Sequence, residues 1–372
     1  MGQKITRRNW LIGASAATGS VMLNKNASAQ QLMNMGMPVS KENPIRFSSN
    51  ENPYGINPNA LKVMFEAHNK AHMYNFGMRP KLEKVIADIE NLPPECVASG
   101  AGSTEFLMAT GVMVGMEKGD VVAPNPTYRF AINYAQRFGS KIITVPVGED
   151  MAIDLNAIRK AITHDTGLVY LCNPNNPIPT IIEKNTLREF CLEISKKTTI
   201  LIDEAYYEYV DNDSFSTMAD LVKDNPNIII CRTASKIHAF ANIRIGFAFA
   251  HPDTMVKLKR VAAMTASFPA MMGAITSYQD KEFQKFVLEK NKQSLNIAYQ
   301  MFEDLGLDYI KSNANFTYFN AGRDPGPIRD RLLDAGISLG RDFKPFTNWI
   351  RISTAKPEEM EYFTEIYKRE FG

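Results

Sequence analysis

The chain has 372 residues, of which 42 are Lys or Arg, 40 are Asp or Glu and 45% are hydrophobic. So balanced a charge leaves no general electrostatic case for nucleic acid or an anionic membrane. The apolar content is ample for a buried core, one large domain plus a smaller one.

The first segment differs from the rest. Lys4, Arg7 and Arg8 precede an uncharged run from Leu11 to Leu23, and "NASAQQ" follows. Ala27-Ser28-Ala29 has the small-x-small form that a signal peptidase accepts, so residues 1–29 read as a three-part export leader. Thr6-Arg7-Arg8-Asn9-Trp10-Leu11 resembles the twin-arginine signal, which implies export of the folded protein to the periplasm by that machinery; the alternative is a cytoplasmic chain with a basic tail. The run is too short for a comfortable permanent span, and no later run is long or apolar enough to span a bilayer, so stable membrane insertion is not expected. Loss of the leader removes Lys4, Arg7, Arg8 and Lys25 and leaves 38 basic against 40 acidic residues.

Residues 30–68 read as an N-terminal segment joining the smaller domain, 69–268 as the large domain and 269–372 as the small C-terminal one. In the large domain, apolar strands alternate with helical patterns: "GDVVAPNP", "KIITVPV", "TGLVYLCNP", "TTILIDEAY", "NIIICRTASK" and "RIGFAFA". Continuous apolar runs such as Ile200-Leu201-Ile202, bracketed by segments like "EKNTLREFCLEISKK", predict an α/β fold with a largely parallel sheet covered on both faces. Ligands then belong at the strand ends. From Pro269 a helix-rich stretch runs through Glu303. "NFTYFNAG", the helical "GPIRDRLLDAG", the strand "WIRISTA" and a last helix follow, which predicts an α+β domain. Cys96, Cys172, Cys191 and Cys231 lack metal spacing and read as buried thiols, and the five histidines never cluster, so no metal site is expected.

Polar residues gather where the strands end, in a pattern that suits pyridoxal phosphate. In "RTASKIHAFANIRIG", Lys236 follows a strand, and a lysine amine in a desolvated pocket forms a Schiff base with an aldehyde. Thr233, Ser235 and Arg244 beside it offer two hydroxyls and a guanidinium fork for a phosphate. "SGAGSTEFL" places Gly102, Ser103 and Thr104 before a helical run, where backbone N–H groups hold a phosphate dianion or, equally, where a glycine turn meets an N-cap. Asp203, ending "ILID", suits the pyridine nitrogen of the cofactor or a helix cap. Tyr206 and Asn176 suit the ring's phenolate oxygen, although Asn-Pro pairs such as those of "CNPNNP" also form turns. Tyr128 in "PNPTY" offers a stacking face or a piece of core.

Together "NENPYG", "GAGSTE", "NPTY", "NPNNP", "DEAYYEY", "SK" with "RIG" eight residues on, and "WIRIS" resemble the fold-type I, class I/II aminotransferases, above all the histidinol-phosphate aminotransferase branch. The resemblance covers residues 46–372. It implies an α/β pyridoxal phosphate-dependent transferase fold, mostly parallel in its large-domain sheet and covered by helices, with a smaller α+β domain. It implies Lys236 as the cofactor's covalent partner and proton carrier, Asp203 as the partner of the ring nitrogen, and Asn176 and Tyr206 at the phenolate oxygen, with Tyr128 stacked on the ring. Gly102, Ser103, Thr104, Thr233, Ser235 and Arg244 would hold the phosphate, and Tyr74 would reach the phosphate of a second subunit, hence a homodimer. Arg351 and Asn52 would meet the substrate.

Three departures from the family pattern lie beside these positions: Ile178-Pro179 in place of Thr-Gly, Asn242 where glycine is common, and no Gly-Thr after "WIRIS". The implied activity is a ping-pong transamination between a small-molecule amino donor and a keto acid, on an amino acid or related amine. The rival readings are another pyridoxal reaction on the same scaffold, such as a phosphothreonine-type decarboxylase, and a non-catalytic binding protein. A nicotinamide enzyme is the weakest rival, because no G-x-G-x-x-G opens a helix after the first strand.

Overall fold

Three neighbouring apolar runs set the centre of the molecule. Val169, Ile200 and Ile228 pair side by side, as do Leu171, Ile202 and Ile230, all parallel and all without solvent exposure. In a strand, alternate side chains face opposite sides. Here Val169, Ile200, Ile202 and Ile228 join one buried cluster, while Leu168, Tyr170, Leu201 and Ile229 join another on the other face. Burial on both faces explains why these strands read as unbroken apolar runs.

In the computed structural model, which describes residues 39–372, a short β1 (Ile45–Phe47) precedes the strands of the main sheet. These are β2 (Val97–Gly100), β3 (Asp120–Asn125), β4 (Ile142–Pro146), β5 (Thr166–Cys172), β6 (Thr199–Asp203), β7 (Ile228–Thr233) and β8 (Gly246–Ala250). They lie in the order β2-β8-β7-β6-β5-β3-β4. β8 runs antiparallel to both neighbours and the other pairings are parallel. The six runs read as strands in the sequence are β3 to β8. β2 escaped that reading because Val-Ala-Ser-Gly carries almost no apolar signal, and its backbone finds a partner only across β8.

After β8, Ser267 caps the helix Phe268–Gln279 by accepting from the Ala270 N–H, with a proline in the first turn, and Asp280 caps the long helix Lys281–Asp304. β9 (Tyr309–Ile310), β10 (Phe316–Asn320) and β12 (Trp349–Ser353) form an antiparallel sheet in the order β12-β10-β9, and β11 (Ile337–Leu339) pairs in parallel with β1. The helices Lys281–Asp304, Pro325–Asp334 and Pro357–Phe371 cover them around a core that includes Phe302, Phe319, Ile352 and Phe363. The pairing of β1 with β11 draws the segment after residue 39 into the C-terminal layer, and residues Ser40–Gly372 form one compact unit.

All four cysteines are buried and free. Among the described residues no helix is long and apolar enough to cross a membrane, and no group of His, Cys, Asp and Glu has the arrangement of a metal site. The segment expected to be an export leader, residues 1–29, lies outside the described residues.

Candidate active site

The parallel strands end together, and their last residues share a cavity of about 360 Å³. Cys172 and Asp203, in register at the ends of β5 and β6, meet Thr233 from β7 there. Ser103, Thr104, Tyr128, Asn176, Tyr206, Ser235, Lys236, Arg244 and Arg351 line the same space.

Asp203 is 2% exposed. Its Oδ2 accepts a 3.4 Å hydrogen bond from the Tyr170 hydroxyl, whereas Oδ1 is buried with no partner. Burial pushes the carboxyl up to about 7, against the opposing pull of Tyr170, the Ala205 N–H and Lys236. A cationic ring nitrogen supplies both the missing hydrogen bond and the missing charge.

Lys236 Nζ stands 3.1 Å from the Ser49 carbonyl and 5.5 Å from the centre of the Tyr206 ring. Loss of water, together with the Arg351 and Arg244 guanidinium groups, pulls its amine down to about 8. The Tyr206 oxygen accepts from Asn50 Nδ2 and Asn176 Nδ2, each at 3.1 Å. With both acceptor positions filled, its own hydrogen is free to be donated toward the cavity.

The side chains expected to hold a phosphate converge at the start of the helix Ser103–Met116. Gly102 occupies its N-cap position at φ +85°, where a Cβ would lie 2.3 Å from Arg244 Nη2, so only glycine leaves room for that guanidinium. Arg244 donates to the Thr104 hydroxyl (2.8 Å) and to the carbonyls of Ala101 and Ala241, and the Thr233 hydroxyl donates to Ser235 Oγ (2.8 Å). The free N–H groups and positive end of this helix add to the same cradle. Gly246 lies directly behind, where a Cβ would come within 2.0 Å of the Ser103 nitrogen.

Arg351, from β12, donates to Asn176 Oδ1 and to the Ser48 carbonyl, both at 2.5 Å, and keeps a buried Nε with no partner. Its guanidinium lies between Phe316 (5.4 Å) and Phe343 (4.9 Å). Tyr128 stacks on Phe130 at 6.3 Å, and burial lifts its phenol to about 12.

Two expected positions lie elsewhere. Asn52 does not line the cavity: its Nδ2 donates to the Ile237 carbonyl (2.7 Å) and its Oδ1 accepts from the Tyr54 N–H, so it braces the segment after Lys236 instead of facing a substrate. Tyr74 is 93% exposed, stacked on an equally open Phe76, and outside the cavity of its own chain.

Residues the sequence reading missed are Asn50, which joins Tyr206 to Ser353 of β12, and Arg341 at the cavity wall. Asn50 takes φ +53°, a conformation asparagine tolerates, but its role depends on partners 156 and 303 positions away. Two of the three departures leave the local backbone and packing intact. Asn242 is exposed and the left-handed conformations of its loop fall on Ala239 and Arg244, while Ile178 packs with no exposure and the Pro179 carbonyl accepts from Asn313.

An orphaned carboxylate oxygen, a depressed lysine and an anion cradle fit the three ends of pyridoxal phosphate. Residues 42–366 match the family model described as aminotransferase class I and II. The chain is 32% identical to histidinol-phosphate aminotransferase 2 of Hydrogenovibrio crunogenus, over 90% of this chain and 92% of that protein. It is 31% identical to the histidinol-phosphate aminotransferase of Symbiobacterium thermophilum, over 88% and 91%. The crystal structure of the Sinorhizobium meliloti histidinol-phosphate aminotransferase in complex with pyridoxal-5'-phosphate is similar at a TM-score of 0.80 and 25% identity, over 93% of this chain and 98% of that one. The L-threonine-O-3-phosphate decarboxylase of Porphyromonas gingivalis, at 16% identity and a TM-score of 0.75, shares the fold. The chain therefore belongs to the class I and II aminotransferases, and pyridoxal phosphate is its cofactor.

Proposed function

We propose that the protein is an exported aminotransferase that moves the amino group of an amino acid or related anionic amine to a keto acid by a ping-pong route, as a homodimer. The observation that carries the reading is the joint placement of Lys236, with its lowered amine, and Asp203, with its unpartnered oxygen, in one cavity. When bound, the cofactor supplies an aldehyde for amine exchange and a ring that takes up the electron pair of the bond broken at the donor's α-carbon.

Asp203 Oδ1 would hold the ring nitrogen and keep it cationic. Tyr206, fixed by Asn50 and Asn176, would donate its hydroxyl hydrogen to the phenolate oxygen. Tyr128 would cover the ring. Ser103, Thr104, Thr233, Ser235 and Arg244, with Gly102 leaving the room, would hold the phosphate. With its amine lowered to about 8, Lys236 Nζ would be neutral often enough to take the donor's α-proton and return it. Arg351, which spends one hydrogen of each terminal nitrogen on Asn176 and Ser48 and keeps the remaining donors of its guanidinium, would take the donor's carboxylate or other anionic group. Outside the cytoplasm the enzyme meets a different pool of amines from the one its named relatives use, so the donor we propose is not histidinol phosphate.

Lys236→Ala is expected to abolish transamination and to shift the visible band from that of the lysine-linked cofactor to that of the free aldehyde, while the phosphate cradle retains some cofactor without a covalent bond. Absorbance and an amino-donor screen of purified protein check both, and turnover surviving in the variant would overturn the mechanism.

Asp203 sets a pH signature. In the fold its carboxyl titrates near 7 instead of near 4, so the cofactor-free protein holds a proton there that the unfolded chain has already released. Stability is therefore lost as pH rises from about 4 through 7, at about 1.4 kcal/mol for each pH unit crossed. Asp203→Asn is expected to raise the melting temperature of cofactor-free protein at pH 8, to leave it nearly unchanged at pH 4, and to weaken cofactor binding. Equal melting temperatures at pH 8 would refute the assignment.

Exposure of Phe65, Tyr74 and Phe76 supports a shared face with Tyr74 reaching a second subunit's phosphate. Tyr74→Phe is expected to loosen the cofactor by about 1.5–3 kcal/mol, the value of one hydrogen bond to a charged group. Sedimentation showing an active monomer would sink the dimer.

For export, Arg7 and Arg8 ahead of an apolar run and Ala27-Ser28-Ala29 point to cleavage before Gln30. Replacing both arginines by lysine keeps the charge and removes guanidinium recognition, so the double variant is expected to stay inside the host cytoplasm. Its arrival in the periplasm, cleaved, would exclude the twin-arginine route.

A further inference from the structure

Behind the cavity lies a buried charged cluster that the transamination steps leave unused. Arg232 of β7, 2% exposed, pairs with Glu90 (2.5 Å) and Glu204 (2.9 Å) and lies 3.5 Å from the centre of the Tyr207 ring. The Tyr207 hydroxyl donates to Glu90, and the Thr217 hydroxyl donates to Glu204. One residue past Tyr207, both carboxylate oxygens of Glu208 are shut off from solvent and have no hydrogen bond. Facing Glu208 are the phenols of Tyr207 and Tyr209 on its own turn, Arg232 of β7, Tyr278 of the helix Phe268–Gln279, and the His238 ring.

The charges do not balance. One guanidinium faces three carboxylates, those of Glu90, Glu204 and Glu208, and Glu204 has no exposed surface. Uncompensated charge in so dry a place costs several kcal/mol, so a proton is needed. His238 is the available carrier. Its Nδ1 is 2.8 Å from Ser277 Oγ, its face lies 3.8 Å from the Tyr278 ring, and its Nε2 is buried, without a hydrogen bond and 3.6 Å from Glu208. A proton on Nε2 answers the unmet needs of both side chains.

Position along the chain lends this pair its leverage. Glu208 lies two residues after Tyr206, and His238 two residues after Lys236. We propose that Glu208 and His238 share one proton and form a buried imidazolium–carboxylate clamp that fixes the Lys236 segment against the Tyr206 turn. They are positioning residues: they touch neither substrate nor cofactor, and they set the direction from which Lys236 Nζ meets the ring. Asn52, braced on the Ile237 carbonyl, holds the same segment from the other side. The inference rests on the proposed role of Lys236.

Two measurements on the pyridoxal phosphate-loaded protein test it. Nitrogen NMR of labelled histidine at pH 7 is expected to show both ring nitrogens of His238 protonated in the wild type and only one in Glu208→Gln. A neutral His238 in the wild type overturns the shared proton. Methoxyamine, which attacks the linkage between cofactor and lysine, reports how Lys236 is held, through the rate of loss of the visible band. Glu208→Gln and His238→Gln are each expected to shift that rate ~10-fold in the same direction, as misplacement of a reacting group does. The double variant is expected to go no further, as for residues that act as a unit. Unchanged rates or additive effects overturn the clamp. Neither measurement needs an amino donor, so a wild type that transfers no amine would count against the proposed function and leave this test standing.

Discussion

A carboxyl group at the end of a strand enclosed on both faces is an unfavourable thing to build. Asp203 is held there because β5, β6 and β7 run parallel, in register and fully covered, so their ends share one water-poor floor. One of its oxygens finds a phenol and the other finds nothing. On the proposed reading, that single unmet need would receive the cationic end of the cofactor, with the helix start at Gly102 and Arg244 holding its phosphate and Lys236 meeting its aldehyde. The cavity is less a container than a set of three mismatches, each corrected by a different part of one molecule.

The second constraint is the distance over which the wall is assembled. Arg351 comes from β12, Asn50 from the segment after β1, and Asn176 and Tyr206 from the loops after β5 and β6, yet they form one hydrogen-bonded chain from the Ser48 carbonyl to the Tyr206 hydroxyl. β1 makes this possible by pairing with β11, which holds the early segment in the C-terminal layer. Any shift of that layer against the main sheet is felt at Tyr206 through Asn50 and Asn176.

The parts legible in sequence are those whose cause is local. β3 and β5 to β8 declare themselves because double burial demands unbroken apolar runs, β4, a half-open edge strand, by its short apolar stretch, and Lys236, Asp203 and Arg244 by the family motifs around them. β2 is silent, since four small residues leave no periodicity, and the reversed direction of β8 is decided by its partners. Asn50 carries no signal and Asn52 a misleading one for the same reason: both sit in one polar stretch, and only the tertiary structure decides which carboxamide turns toward Tyr206 and which toward Ile237. Glu208 and His238 read as ordinary polar residues until folding removes their water.

The sulfur atoms have a consequence of their own. All four thiols are enclosed, and burial, helped at Cys172 by the nearby Asp203, pushes each of them above the ordinary thiol range. Thiolate is the form that oxidants and disulfides attack. A folded copy therefore shows no reactive thiol at its surface, and an oxidising compartment would find no cysteine to cross-link.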